Sequence, residues 1–145
     1  MKVLSVRQPW SYLIVAGYKD IENRTWRTSY RGPLLIHASK AVDPNDFPKQ
    51  RQWIREAGIV IPNDNDLPRG AIVGSANLTE VYSDGRDDGL LDIYDGKNSP
   101  WFEGPYGFLM TDPVEFEDPI QCRGQLGIRD VSDSLMARVS KMLIK

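Results

Sequence analysis

The sequence predicts a single α+β domain: about six or seven short strands forming a small β-barrel, flanked by two or three helices. Three observations carry this. The 145 residues suit one domain, at roughly 100–200 residues per domain. Short apolar runs bounded by Gly, Pro, Asn and Asp recur along the chain, as strands and turns do. Elsewhere apolar residues recur at helical spacing behind helix-starting residues.

Residues 2–6 are the first strand. Gln8-Pro9-Trp10-Ser11 opens a helix, with Pro9 in the first turn where its missing N–H costs nothing. Trp10, Leu13, Ile14 and Ala16 form its apolar stripe, and Gly17 supplies the left-handed stop. Residues 20–26 read as a strand that puts Glu22, Arg24 and Trp26 on one face and Ile21, Asn23 and Thr25 on the other. After a turn, residues 33–38 form a core strand. Asp43-Pro44 opens a second helix to about Ala57, closed by Gly58, with Phe47, Trp53 and Ile54 as its stripe and Pro48 disturbing its first turn. Residues 70–79 are a further strand. Residues 83–105, rich in Asp, Gly, Asn and Pro, read as a long solvated loop and the most mobile segment. Residues 106–112, 114–122 and 125–131 are three closing strands. Ser132-Asp133 caps an amphipathic helix with Leu135, Val139, Met142 and Leu143 on one side. The domain thus spans residues 1–131, and residues 132–145 form a helix that packs on it or on a partner.

Composition removes several function classes. One cysteine and one histidine leave no intrachain disulfide and no His/Cys metal cluster, so neither metal nor cofactor is expected. No apolar run approaches the roughly 18 residues of a membrane span, and the first residues carry no leader pattern; a cytoplasmic protein without membrane contact is expected. Net charge is −2, but residues 1–57 hold 10 Lys/Arg against 5 Asp/Glu while residues 58–145 hold 8 against 15. That balance excludes a nonspecific coat for nucleic acid and leaves a local basic surface able to hold a phosphate or a single strand. Asp84, Asp88, Gly89 and Asp95 match positions of a calcium loop, but Arg86 stands where a ligand belongs and repels the ion. The one histidine is far from Cys122 in sequence, so a thiol nucleophile is not expected. No phosphate loop, dinucleotide fingerprint or nucleophile elbow occurs.

The strongest cluster is Gly17-Tyr18-Lys19-Asp20-Ile21-Glu22-Asn23-Arg24. A helix ends, Lys19 sits in the turn, and Glu22 and Arg24 project together from the next strand. An ammonium, a carboxylate and a guanidinium around one small volume suit phosphate and base-edge recognition, or acid–base chemistry. The same pattern describes a surface ion-pair ladder, and spacing alone does not separate the two. Arg7, Trp10, Tyr18, Arg24, Trp26, Arg27, Tyr30 and Arg31 interleave aromatic and basic groups, as stacking platforms for bases do. Trp10 also belongs to the helix stripe, which makes it a core residue. His37, inside the apolar run Leu34-Leu35-Ile36-His37-Ala38, reads as a hydrogen-bonded structural histidine.

Leu4-Ser5-Val6-Arg7-Gln8-Pro9-Trp10, the complete Gly17-x-Lys19-x-x-Glu22-x-Arg24 motif and Tyr30-Arg31-Gly32-Pro33-Leu34-Leu35-Ile36-His37-Ala38 together resemble the ASCH family, in its activating signal cointegrator-like branch. Leu67-Pro68-Arg69-Gly70, Pro105-Tyr106-Gly107-Phe108 and Pro119-Ile120-Gln121-Cys122-Arg123-Gly124 extend the resemblance across about residues 3–131. It implies a PUA-like barrel (the domain of pseudouridine synthases and archaeosine transglycosylases) with a cleft that binds RNA or another nucleic acid. It assigns Lys19, Glu22 and Arg24 to that cleft, with Arg7, Trp26, Arg31 and His37 as neighbours and Tyr106 and Arg123 closing it from the far strands. Some small members remove acyl groups from modified cytidine with a lysine, a threonine three residues later and a distant glutamate. Lys19 matches the lysine, but Glu22 stands at the threonine position and Gly74 or its neighbour at the glutamate position, while Thr25 falls one register off. Ribonuclease activity is also attributed to the family.

The leading expectation is therefore an RNA or modified-nucleotide binding module. A carboxylate repels a phosphate backbone, so Glu22 favours reading one base over tracking a long strand. The alternative is a hydrolase on an acylated nucleoside or RNA, with Lys19 and Glu22 catalytic. A protein-interaction role in a larger assembly is the third.

Overall fold

The computed structural model describes residues 1–41, 47–90 and 99–143. Its elements are β1 (Lys2–Val6), α1 (Trp10–Val15), β2 (Ile21–Arg24), β3 (Gly32–Ala38), α2 (Pro48–Glu56), β4 (Ala71–Ser83), β5 (Tyr106–Gln121), β6 (Ile128–Asp130) and α3 (Asp133–Leu143), with a 3-10 turn at Asp64–Asp66. The class is α+β, with one six-stranded sheet in the order β2-β5-β4-β3-β1-β6. β1 runs parallel to β3, and every other neighbour pair is antiparallel.

Local sequence explains most boundaries. Gly17 takes φ +90° directly after α1, where a side chain would be strained. The start of α1 is capped from Gln8, whose Oε1 accepts the Tyr12 N–H at 3.0 Å while its Nε2 donates to the Pro68 carbonyl at 3.0 Å. Ser132 Oγ accepts the Leu135 N–H at 3.3 Å, the expected cap of α3. Pro48, expected to disturb α2, instead occupies its first turn, where no backbone donor is needed.

The core has two parts. α1 lays Trp10, Leu13, Ile14 and Val15 on the sheet against Ile36, Val73, Leu78 and Phe108, all nearly inaccessible. On the other side α3 covers Leu35, Ile72, Phe116 and Ile120 with the fully buried Val139, helped by the half-buried Leu135 and Met142; Leu143 stays exposed.

Several expectations change. The 106–112 and 114–122 segments are one 16-residue strand, β5. A straight strand of that length would span about 50 Å, too long for a domain this size, so β5 must coil. It does so at register irregularities against β4 and at Asp112, whose φ is +51°. Pro113 after Asp112 reads as a break in sequence but here marks the bend. β4 runs on to Ser83, and β2 stops at Arg24, leaving Trp26 beyond the strand. The hydrogen-bonded order ends at β2 and β6, with no ladder joining them among the described residues, where a closed barrel was expected. The 83–105 segment is not solvated throughout: Ser99 and Trp101 are each 2% exposed. Asn23 holds this stretch, donating to the Trp101 carbonyl at 2.8 Å and accepting from the Glu103 and Gly104 amides at 2.8 and 3.1 Å. Asp43-Pro44 and Asp95 lie outside the described residues.

Candidate functional site

The Lys19–Arg24 segment is anchored by backbone before any side chain matters. The Tyr18 and Lys19 amides both donate to the Leu13 carbonyl at 2.9 Å, fixing the turn after α1. β2 then pairs Glu22 with Phe108 and Arg24 with Tyr106 on β5. Glu22 and Arg24, two apart on a strand, fall on one face.

The three side chains form a linear network. Lys19 Nζ donates to the Ile21 carbonyl and to Glu22 Oε1, the latter at 3.4 Å. Arg24 Nε and Nη2 approach Glu22 Oε2 at 3.0 and 2.9 Å, and Nη2 also donates to the Ser5 carbonyl at 2.6 Å. Side-chain exposure rises outward along it, from 2% at Lys19 to 11% at Glu22 and 22% at Arg24. The ammonium lies 6.0 Å from the Trp10 ring and 5.9 Å from the Trp101 ring, where cation–π attraction offsets part of its lost hydration. Burial pushes the Lys19 pKa below its usual 10.5, and the Glu22 carboxylate opposes that shift. The surface ladder is thus excluded for Lys19: it lines the cleft but its side chain is only 2% exposed.

The network sits at the edge of a cleft of about 1200 Å³. Arg7 and Arg123, both exposed, and the half-buried Trp26 line it. The Arg24 guanidinium carbon stands 6.0 Å from the Trp26 ring, which packs edge-on to Phe108 at 5.2 Å. His37 also lines the cleft, 2% exposed, with Nε2 2.9 Å from the Cys122 carbonyl and Nδ1 3.1 Å from Ser5 Oγ. Lys40, exposed, is a further cation on the wall.

Arg31 and Tyr106 are not brought to this cleft. Arg31 lies with Arg27, Thr28 and Ser29 on a separate shallow surface and reaches Glu80 at 3.4 Å. The Tyr106 hydroxyl donates to Asp88 at 2.9 Å. Asp88, the acidic-loop residue, also accepts from Ser83, Arg27 and the Leu90 amide. Those bonds, the Leu90 amide foremost, hold its pKa at about 2, so it is a structural hub here. Among the described residues no three His, Cys, Asp or Glu converge to hold a metal. No described helix is long and apolar enough to cross a membrane.

Sequence reasoning missed Ser5, Asn23 and Trp101. Ser5 was readable only as a strand residue, because its partner His37 is 32 residues away. Trp101 offered one signal, a large aromatic inside an otherwise polar stretch.

A sequence model of the ASCH domain matches residues 4–104, well over half of the chain. The chain belongs to the ASCH family. Activating signal cointegrator 1 of Homo sapiens is 29% identical over 147 aligned residues, and that of Mus musculus 34%. Each alignment covers 98% of this chain but 24% of the relative, so the chain spans about a quarter of those proteins. Among solved structures, ASCH from Zymomonas mobilis superposes with TM-score 0.56 over 97% of this chain and 94% of that one, at 14% identity. Its Y47F variant gives 0.55. This ASCH domain therefore shares their fold across nearly its whole length.

Proposed function

We propose that the cleft binds one nucleotide of a single-stranded RNA, or a modified nucleotide, within a PUA-like module closed around the coiled sheet. The observation that carries this is the graded Lys19–Glu22–Arg24 network. A buried ammonium fixes the carboxylate, the carboxylate fixes the guanidinium, and the guanidinium reaches the cleft beside Trp26. A guanidinium held about 6.0 Å from an indole ring suits a base and its phosphate. Arg7, Lys40 and Arg123 on the walls supply charge for the flanking backbone, although the whole chain carries −2. ASCH domains are generally linked to RNA binding, which agrees with this reading. Lys19 acts from beneath, as the group that positions Glu22 and Arg24.

The test is anisotropy of a fluorescein-labelled single-stranded RNA at two salt concentrations, followed by a denaturing gel of the same samples. Binding that weakens with salt, falls at least about tenfold in Arg24→Ala, and leaves the RNA intact supports the proposal. Salt-independent or Arg24-independent binding overturns it. One observation favours a hydrolase with Lys19 as base: burial lowers its pKa. Cleavage on the gel that Lys19→Ala abolishes would establish that reading instead.

A further inference from the structure

Four buried side chains on the cleft walls are polar: Lys19, Glu22, His37 and Gln50. Lys19 and Glu22 pair with each other, and Glu22 also with Arg24. Both ring nitrogens of His37 have partners, Ser5 Oγ and the Cys122 carbonyl. Gln50, 2% exposed, has no hydrogen-bond partner for its side-chain amide among the described residues. A buried polar group left unpaired costs stability, so an unpaired amide on a cleft wall is a group kept for a ligand. Ser11 Oγ is also without a partner, but Ser11 is 0% exposed and lies off the cleft lining.

The position of Gln50 on α2 strengthens the point. Phe47, Gln50 and Ile54 follow the three-then-four spacing of a helix face, and Ile54 is in the core at 4% exposure. Gln50 therefore occupies a place where the stripe calls for an apolar side chain. Two aromatic pairs pin that face: Phe47 on Trp10 at 5.4 Å and Trp53 on Trp101 at 4.9 Å, both edge-on. Trp10 and Phe47 line the cleft together with Gln50, which puts the amide among aromatic walls able to take a planar ring.

An amide offers a donor and an acceptor side by side. The other base-reading groups of the cleft are already engaged. Both Glu22 oxygens are taken, by Lys19 and by Arg24, so the carboxylate that would accept a cytosine amino group is not available. Arg24 commits Nε and Nη2 to Glu22 and to the Ser5 carbonyl, and with them the fork that reads guanine. The amide that remains pairs with adenine, whose amino group donates to Oε1 while the adjacent ring nitrogen accepts from Nε2. We infer that Gln50 is the specificity-determining residue of the cleft and reads adenine; this rests on the nucleotide-binding reading above.

The test is anisotropy of short fluorescein-labelled oligoadenylate, oligocytidylate and oligouridylate with the full chain. Oligoadenylate should bind about tenfold more tightly than the other two. Gln50→Leu should bind all three alike, at the level of the weaker pair, with a melting temperature unchanged or raised, because an apolar side chain suits a buried stripe position. A merely structural amide would instead lower the melting temperature on that change and leave the base preference as it was. Should the variant fail to fold, an oligonucleotide carrying purine in place of adenine, which lacks the amino group, should bind the unaltered protein about tenfold more weakly. Equal affinity for the three strands, preference for another base, or a preference that survives Gln50→Leu overturns Gln50 as the reader while salt-sensitive, Arg24-dependent binding stands. No binding, or binding indifferent to Arg24→Ala, overturns the nucleotide reading and this inference together.

Discussion

At the residue scale the buried Lys19 dominates, because removing an ammonium from water costs several kcal/mol unless it is paired. Glu22 is its partner, so Glu22→Gln leaves a covered cation facing a neutral amide. A loss of about 3 kcal/mol is expected in urea denaturation, together with a disordered Arg24 and weakened RNA binding. Lys19 also sets a pH dependence. Its folded pKa lies below the 10.5 of the free side chain, so between those values the unfolded chain holds more protons. Stability must then rise with pH across that alkaline window, and Lys19→Met should flatten the rise in parallel denaturation series. Asp88 has the opposite sign. Held at about 2 against an ordinary 3.8, it stabilises the fold above 3.8 and loses that contribution as pH falls through about 2. The stability gap between the protein and Asp88→Asn should therefore close over that acid range.

At the element scale, the packing of α1 on the sheet depends on one small residue. A Cβ at Gly74 would press into the Val114 carbonyl and lie 2.7 Å from Val15 Cγ1. Both neighbours are fixed, one as backbone and one as a buried core side chain. Gly74→Ala should cost about 3 kcal/mol, read as a lower denaturation midpoint. Gly89→Ala, with nothing within 4 Å but a φ of +71°, should cost only about 1 kcal/mol of backbone strain. Element type was legible where one period dominates: β1, α1, β3 and α3 follow from alternation, stripe and caps. Element length was less so. β4 and β5 are held by each other across irregular pairing, so their ends depend on a partner distant in sequence, and Asp112-Pro113 reads locally as a break.

At the scale of the whole molecule, α3 closes the second core face. Val139 is 0% exposed against Leu35, Ile72, Phe116 and Ile120, so Val139→Ala should cost about 2 kcal/mol. Affinity for RNA per folded molecule should not change, because α3 contributes nothing to the cleft lining. The cleft itself draws on β1, α1, β2, β3, α2, the end of β5 and the stretch before β6. Its parts come together only through the sheet order, which places β3 between β1 and β4 and β5 between β4 and β2.

By itself the sequence determined the α+β class, the family, the Lys19–Glu22–Arg24 cluster and the helix ends, because each rests on neighbours within a few residues. Only the tertiary structure decided that Lys19 is covered and paired with Glu22, that Tyr106 and Arg31 stand apart from the cleft, and that Trp101 is core. It alone joined Ser5 to His37. Burial and hydrogen-bond direction are properties of what the fold stacks against a side chain. Here those partners come from segments far along the chain, as Cys122, 85 residues away, does for His37.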